Sequence, residues 1–408
     1  MKIINSTICI IGAGPAGATT SIFLAKMGIE HVIVDAAEFP RDKICGDGLD
    51  TKTLRILNHI DPNIIPNELF NHPDFIPSWG ISTIASNGKR IDFTHHPTKG
   101  KEKQCPFFIC KRIHFDNFLV NKLNPEFATF LPGTKVTSIV KEGNTWEIGA
   151  ISKSETISIK CAMLVGADGD HSTLLRHLGE RKIDRQHYAG AVRQYWKGVE
   201  GLNDKNLIEI YYPKKLPMSY FWIFPLPNGE ANVGYGMVSA FASKLKINIR
   251  EEMKKIIAND PVMVQRFKNA TPQNEIEGWG LPLASANRNL FGNGYLLVGD
   301  AASLISPTNG EGIGNAMHTG YVAAVFIQRA IKNNNFSKST FTNYNREIFK
   351  SYRKEIKLFN LASKYAPNFN SFIYRYILVD NWLLKRIYRK KMNGWLHSAY
   401  EKKIIITP

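Results

Sequence analysis

Cysteine is scarce in this chain: Cys9, Cys45, Cys105, Cys110 and Cys161 are the five in 408 residues, with no C-x-x-C pair and no zinc spacing. An odd count without a secretory signal reads as reduced thiols in a cytosolic protein. The opening residues enter a strand pattern almost at once, which leaves no room for a signal or transit peptide. No apolar run approaches the ~18 residues of a membrane-crossing helix. His95-His96 has neither the spacing nor the acidic neighbours of a metal site, so no metal is expected. Helix-turn-helix, zinc-finger and RNA-binding signatures are missing, which argues against a nucleic-acid partner. Acids are also short, 35 against 52 Lys and Arg, and the imbalance is local. From Ile331 to Pro408 sixteen basic residues face four acids, so +12 of the formal +17 lies in the last fifth of the chain. Such asymmetry favours an anionic partner, and without nucleic-acid motifs a membrane surface is the natural one.

What is present is globular: 44% hydrophobic and 21% charged residues, with length for two or three domains. The chain is organised around Ile8-Cys9-Ile10-Ile11-Gly12-Ala13-Gly14-Pro15-Ala16-Gly17, an apolar strand that runs into glycines and then a small-residue helix. Gly12 allows the tight turn, Gly14 admits a pyrophosphate, and Gly17 lets helix pack on strand. The helix amides would then receive the phosphates. Gly28 stops that helix, and His31-Val32-Ile33-Val34 forms a second strand that ends in Asp35, placed to grip a ribose hydroxyl. Strand, glycines, helix, strand and acid in this order specify an adenine dinucleotide site far better than the glycines alone.

Along the chain, Phe39 to Leu49 is a Pro/Gly loop carrying Arg41 and Lys43, and Thr51 to Ile60 is helical. Prolines and short alternations from Asp61 to Pro106 predict a β-rich insertion. Arg112, at the start of a helix, either reaches a phosphate or is a surface charge. Thr134–Ile139 and Thr145–Ile151 read as a hairpin, and Ala162 to Gly169 as a buried strand ending in Asp168. From Gln186 to Met237 the period is two. Tyr220, Trp222 and Phe224 share one face of a strand, with Phe221 and Ile223 packing on the other. Such a stripe fits either ordinary core or a cavity wall. Ile249–Ile257 and Pro261–Phe267 read as short helices on this sheet. Tyr295 to Val298 is another buried strand, followed by Asp300 and a glycine-rich helix start in which Gly310 and Gly312 would free amides for a ligand. One dinucleotide gripped at both ends of the chain explains this better than two sites.

The fingerprint, Arg112 with Asp116, Gly166-Ala167-Asp168-Gly169 and Gly299-Asp300 through Pro307 resemble the flavoprotein group typified by p-hydroxybenzoate hydroxylase. Within it, Pro40 to Leu49, Tyr220-x-Trp222-x-Phe224-Pro225 and Pro307-Thr308-Asn309-Gly310-Glu311-Gly312-Ile313 are similar to the geranylgeranyl reductase family, which includes archaeal lipid and bacterial menaquinone reductases. The resemblance spans about residues 5 to 330. It implies an α/β fold: a Rossmann-type FAD-binding domain from 1–75, 103–180 and 285–330, an antiparallel β-sheet substrate domain from 76–102 and 181–284, and a basic helical region from 331–408.

The same resemblance implies FAD, with Gly12, Gly14, Ala16, Gly17 and Asp35 at the adenosine and pyrophosphate end. Arg112 would reach the phosphates, Val136 the adenine, and Asp300 the ribityl-pyrophosphate part. Gly312 and Ile313 would lie against the isoalloxazine, with Gly310 also among the cofactor-binding residues and Cys45, Gly46 and Gly48 near the flavin. Tyr220, Trp222 and Phe224 would line the substrate cavity. The implied activity is reduction of carbon–carbon double bonds in an isoprenoid lipid or quinone side chain, with NAD(P)H or reduced ferredoxin as electron donor. Cys45 is the candidate proton donor, with water as the alternative. An FAD-dependent monooxygenase is the rival; a halogenase is disfavoured because its W-x-W-x-I-P element is absent. In the tail, Phe372, Ile373, Tyr376, Ile377, Trp382, Leu383, Leu384, Ile387 and Tyr388 interleave with Arg375, Lys385, Arg386, Arg389, Lys390 and Lys391. Two readings follow: helices packed on the body with a solvated basic face, or a surface helix on anionic lipid that makes the protein peripheral on the inner face of the membrane.

Overall fold

The computed structural model describes residues 2–153, 155–213, 216–286, 288–365, 382–402, 404 and 406. Its first sheet is built on continuous apolar runs, the pattern of strands covered on both faces. Ile8–Ile11 lies between Met163–Gly166 and His31–Val34, all parallel, with Tyr295–Leu297 and Ala128–Leu131 flanking them and Phe291–Gly292 as an antiparallel edge. Every residue of Ile8–Ile11 and His31–Val34 is buried. Pro15–Lys26 and Ile313–Lys332 pack together beside this sheet. The Thr134–Glu142 and Thr145–Ser152 hairpin is joined by Glu155–Cys161, and the opening strand Lys2–Asn5 pairs there rather than in the central sheet.

A second sheet of eight strands gathers distant stretches. Tyr188–Lys197, Glu230–Val238, Ser219–Pro225 and Ile208–Tyr212 lie side by side in that order, each antiparallel to the next, and Ile208–Tyr212 then pairs in parallel with Gly80–Ala85. The two-residue period sorts the faces. Phe221 and Ile223 are 0% and 1% exposed and pack with Met253, Ile256, Met263 and Phe267 of the helices Ile249–Asn259 and Pro261–Phe267. Their neighbours Tyr220, Trp222 and Phe224 turn to the opposite face. The stretch expected to be β-rich also holds a wide helical turn, Ile64–Leu69, closed by the Phe70 amide on Ile65 O at 3.2 Å. Ile64, Ile65 and Leu69 are the buried residues that hold it down.

The C-terminal region is helical, with Tyr344–Lys350, Arg353–Lys364 and Trp382–Tyr400. The last of these packs on the body. Met392 and Leu396 are buried with Phe107 and Ile208, and the Tyr400 hydroxyl donates to Cys105 O at 2.8 Å. Arg386, Arg389, Lys390 and Lys391 stand on its exposed side. Phe372, Ile373, Arg375, Tyr376 and Ile377 lie outside the described residues, as do the side chains of Trp382, Leu383, Leu384, Lys385 and Tyr388. Among the described residues no helix is long and apolar enough to cross a membrane, and no group of His, Cys, Asp and Glu is arranged to hold a metal.

Candidate cofactor and substrate site

A cavity of about 820 Å³ runs from the glycine loop to the aromatic face of the second sheet. At its first end the backbone is folded so tightly that two glycines are obligatory. A Cβ on Gly12, at φ +100°, would meet Ala167 O at 2.4 Å, and one on Gly17 would meet Gly12 O at 1.8 Å. Asp35 ties this loop to the end of the second strand, its two oxygens accepting from the Ala13 amide at 2.7 Å and the Ala37 amide at 2.9 Å. Each oxygen keeps a lone pair for a further donor. The helix Pro15–Lys26 begins at Gly14 without a side-chain cap, so its first amides remain available to an anion. Ala16 and Val136 line the same end.

Arg112 is 4% exposed, which removes the surface reading. Its guanidinium grips Asp116 at two points, 2.6 and 2.7 Å, and Arg41 takes the same carboxylate at 2.7 Å. Burial opposes ionisation of Asp116, but Arg112, then Arg41, hold its carboxyl below the usual range. Two cations on one anion leave a positive surplus beside the glycine loop. Arg41 is close to that loop, with Nη2 3.6 Å from the place a Gly14 Cβ would take. The loop arginine Arg41 therefore stands with Arg112 beside the glycine loop.

At the other end Asp300 is paired with Lys43 at 3.0 Å. Gly312 is the N-cap of Ile313–Lys332, 3.7 Å by its Cβ position from Asp300 Oδ1. The Gly310 amide does not face the cavity as expected; it donates to Ser306 O at 3.0 Å, closing the turn. Gly310 is required instead by a side chain, because a Cβ there would fall 2.5 Å from the Tyr220 hydroxyl. That hydroxyl donates to Asn309 O at 2.9 Å. Tyr220, Trp222 and Phe224 form a row with ring centres 5.9 and 6.3 Å apart. Phe224 lies against the loop, 3.3 and 3.2 Å from the Cβ positions of Gly46 and Gly48. Ile208, Ile210, Leu283 and Ile305 extend the apolar wall.

Beneath the row is a buried polar network that sequence reasoning missed. Asp47 accepts from the Tyr195 hydroxyl at 2.9 Å and Asn232 Nδ2 at 2.8 Å. Asn232 also donates to Cys45 O at 2.7 Å and accepts from Trp222 Nε1 at 2.9 Å. One amide thus fixes both the Cys45 loop and the indole. Burial pushes the Asp47 carboxyl up to about 6, with Asn232 and Tyr195 restraining the rise. Burial raises the Cys45 thiol, outweighing the opposite pull of Arg112, and so disfavours a thiolate there. The available signal was Asn232 itself, a polar residue inside a strand that is otherwise buried.

The cavity has an anion-receptive helix start and paired arginines at one end, a carboxylate between, and an apolar aromatic wall at the other. That is the polarity of a dinucleotide ending in a flat ring system. A pattern described as an FAD binding domain matches residues 5–347. The chain belongs to the FAD-binding domain family. FAD is its cofactor. This FAD-binding protein is 28% identical over 339 residues to a menaquinone reductase of Mycolicibacterium smegmatis, covering 78% of this chain and 76% of the relative. It is 26% identical over 340 residues to a digeranylgeranylglycerophospholipid reductase of Methanococcus vannielii, covering 83% and 80%. A geranylgeranyl bacteriochlorophyll reductase-like protein of Thermoplasma acidophilum superposes with a TM-score of 0.80 at 21% identity over 98% of this chain and 97% of that one. A flavin-dependent brominase shares the fold with a TM-score of 0.74 at 20% identity over 96% and 99%.

Proposed function

We propose that this FAD-dependent oxidoreductase reduces isolated carbon–carbon double bonds in a prenyl chain, carried by a lipid or a quinone. The observation that carries the reading is the apolar and aromatic wall of Tyr220, Trp222, Phe224, Ile208, Ile210 and Leu283 at the end of the cavity away from the phosphate site. The names of the reductase relatives support it. FAD, once reduced by NAD(P)H or a ferredoxin-like carrier, supplies hydride. The protein supplies the rest. Gly12, Gly14, Ala16, Gly17, Asp35, Val136, Arg112 and Arg41 hold the adenosine and pyrophosphate. Asp300, Gly312 and Ile313 hold the other half, and Gly46 and Gly48 let Phe224 close over the loop. Burial of the substrate chain contributes about 0.8 kcal/mol per methylene. Ring faces favour positive charge that develops on carbon, and the closed wall excludes water.

The domain division read from sequence is kept: 1–75, 103–180 and 285–330 for FAD, 76–102 and 181–284 for substrate. The substrate enters from an anionic membrane surface. Leu358, Phe359 and Ala362 of Arg353–Lys364 line the cavity, while Leu358 and Leu361 are 52% and 58% exposed beside Lys354, Lys357 and Lys364. An apolar strip with lysines at a cavity mouth is suited to a lipid headgroup boundary. Anaerobic turnover with reduced FAD and prenyl lipids or menaquinone tests the activity by mass spectrometry. Products heavier by pairs of hydrogens are expected. Oxygen-bearing products in air, with none from the anaerobic reaction, would establish the monooxygenase instead.

A further inference from the structure

Saturating a double bond takes a proton as well as a hydride. Cys45 is a half-buried thiol on the cavity wall whose pKa burial raises, and His318 is held neutral because burial, then Lys52 and Arg55, pull it down to about 4. A different group stands on the cavity wall. Asp50 and Glu311 both line the cavity. Each caps its own helix. Asp50 Oδ1 accepts from the Lys52 and Thr53 amides, both at 3.0 Å, and Glu311 Oε1 accepts from the Gly314 amide at 2.5 Å and the Asn315 amide at 3.2 Å. The two carboxyl groups converge on one point: a Cβ on Gly314 would lie 2.6 Å from Asp50 Oδ1 and 2.8 Å from Glu311 Oε1. Glu311 Oε2 is buried and has no hydrogen-bond partner among the described residues, with Lys52 Nζ 4.0 Å away.

A buried carboxyl beside a second carboxyl, with one oxygen unpartnered, keeps a proton. We propose that Asp50 and Glu311 hold one proton at the cavity wall and that Glu311 delivers it to the double bond; this rests on the reductase reading above. Burial, then the charge of Asp50, push the Glu311 carboxyl up to about 8, with Lys52 and the two helix amides opposing. The other charged or titratable groups around the pair are Glu355, Tyr352 and Asp300, with His318 beside Lys52 and Arg55. In the step, the alkene π electrons form a C–H bond to the proton from Glu311, hydride completes the other carbon, and Glu311 is left as a carboxylate. Its proton returns from solvent through half-exposed neighbours. Lys52 Nζ bonds Glu355 Oε1 at 3.3 Å and Asn315 Oδ1 at 2.9 Å. Ser306 Oγ donates to Glu355 Oε2 at 2.7 Å and lies 3.2 Å from Thr308 Oγ1, both residues of the cavity wall.

The test uses FAD-loaded protein without substrate, then with it. Infrared titration of wild type is expected to show a protonated carboxyl at pH 7 that ionises near pH 8 and disappears in Glu311→Gln. Asp50→Asn, which keeps the cap, is expected to move that ionisation to lower pH by removing a neighbouring negative charge. In turnover, Glu311→Gln is expected to lose ~10² to 10⁴-fold in rate, the usual contribution of a positioned acid. A wild type without the carboxyl band at pH 7, an Asp50→Asn protein titrating unchanged, or Glu311→Gln turning over within about threefold of wild type would each overturn the proposal. If wild type reduces no prenyl substrate, the reductase reading fails, while the infrared titration still decides whether the pair holds a proton.

Discussion

Replacing Asn232 by Leu tests the buried network most sharply, because leucine branches at the same carbon as asparagine, removes every polar atom of the amide and leaves water no room. Asn232 is 0% exposed, and its amide serves Trp222 Nε1, Cys45 O and Asp47 Oδ2. In Asn232→Leu the indole N–H and the Cys45 carbonyl are left buried without partners, at about 1–3 kcal/mol each, and Asp47 loses one of its donors. The expected loss is about 3–6 kcal/mol, a large share of the ~5–15 kcal/mol typical of folded proteins. Ile223→Val on the opposite face of the sheet is the control, at about 0.5–1.5 kcal/mol. Urea unfolding followed by tryptophan emission measures both, with unchanged m-values expected. The pH dependence adds a second reading. Burial raises the Asp47 carboxyl in the folded state from the ordinary aspartate value to about 6, so the folded state binds its proton more tightly. Stability from this group is therefore full at low pH and falls as pH rises from about 4 to about 6. Removing the Asn232 donor, which restrains the rise, extends that fall above pH 6. A loss no greater than the Ile223→Val control, with an unshifted pH profile, would refute the assigned network.

Asp116→Asn leaves buried Arg112 without its counter-charge and is expected to cost about 3–5 kcal/mol in thermal or urea unfolding; a loss under about 1 kcal/mol would contradict the shared-carboxylate arrangement. Gly310→Ala, at φ +72°, must displace the Tyr220 hydroxyl as well as adopt a strained backbone. It is expected to lose more stability than Gly143→Ala, at φ +57° with nothing within 4 Å, which bears only the backbone strain of about 1–2 kcal/mol. Equal losses would remove the Tyr220 contact from the account. Neutralising Lys354, Lys357 and Lys364 together is expected to weaken flotation with anionic vesicles by about two orders of magnitude, from about 1 kcal/mol per lysine near the surface. Equal binding of wild type to neutral and anionic vesicles would contradict membrane docking.

The parts of the site legible in sequence are those whose physics is local. Ile8 to Gly17 holds a strand, a turn and a helix start within ten residues, and Gly17 is demanded by Gly12 of that same stretch, although Gly12 is also demanded by the distant Ala167. Tyr220, Trp222 and Phe224 declare a face because a strand alternates strictly. Arg112 and Asp116, one helical turn apart, could have been read as a buried pair; the spacing was visible but their burial was not. The network is another matter. Asp47 and Asn232 are 185 residues apart, and Arg41 reaches Asp116 across 75. No periodicity announces such a meeting. The role of Gly310 was misjudged for a related reason: a glycine at a turn was foreseeable, but the tyrosine hydroxyl from the second sheet that occupies the place of its Cβ was not.

The central claim is one FAD stretched between the glycine loop and the Asp300–Gly312 turn, in a single cavity. Equilibrium titration of cofactor-stripped protein with FAD, followed by flavin absorbance and fluorescence, measures it directly. One FAD per chain is expected, with its fluorescence altered beside Trp222 and with Gly17→Ala, whose Cβ would meet Gly12 O at 1.8 Å, failing to saturate. A folded protein that takes up no FAD, or that saturates at two independent sites, would contradict the account.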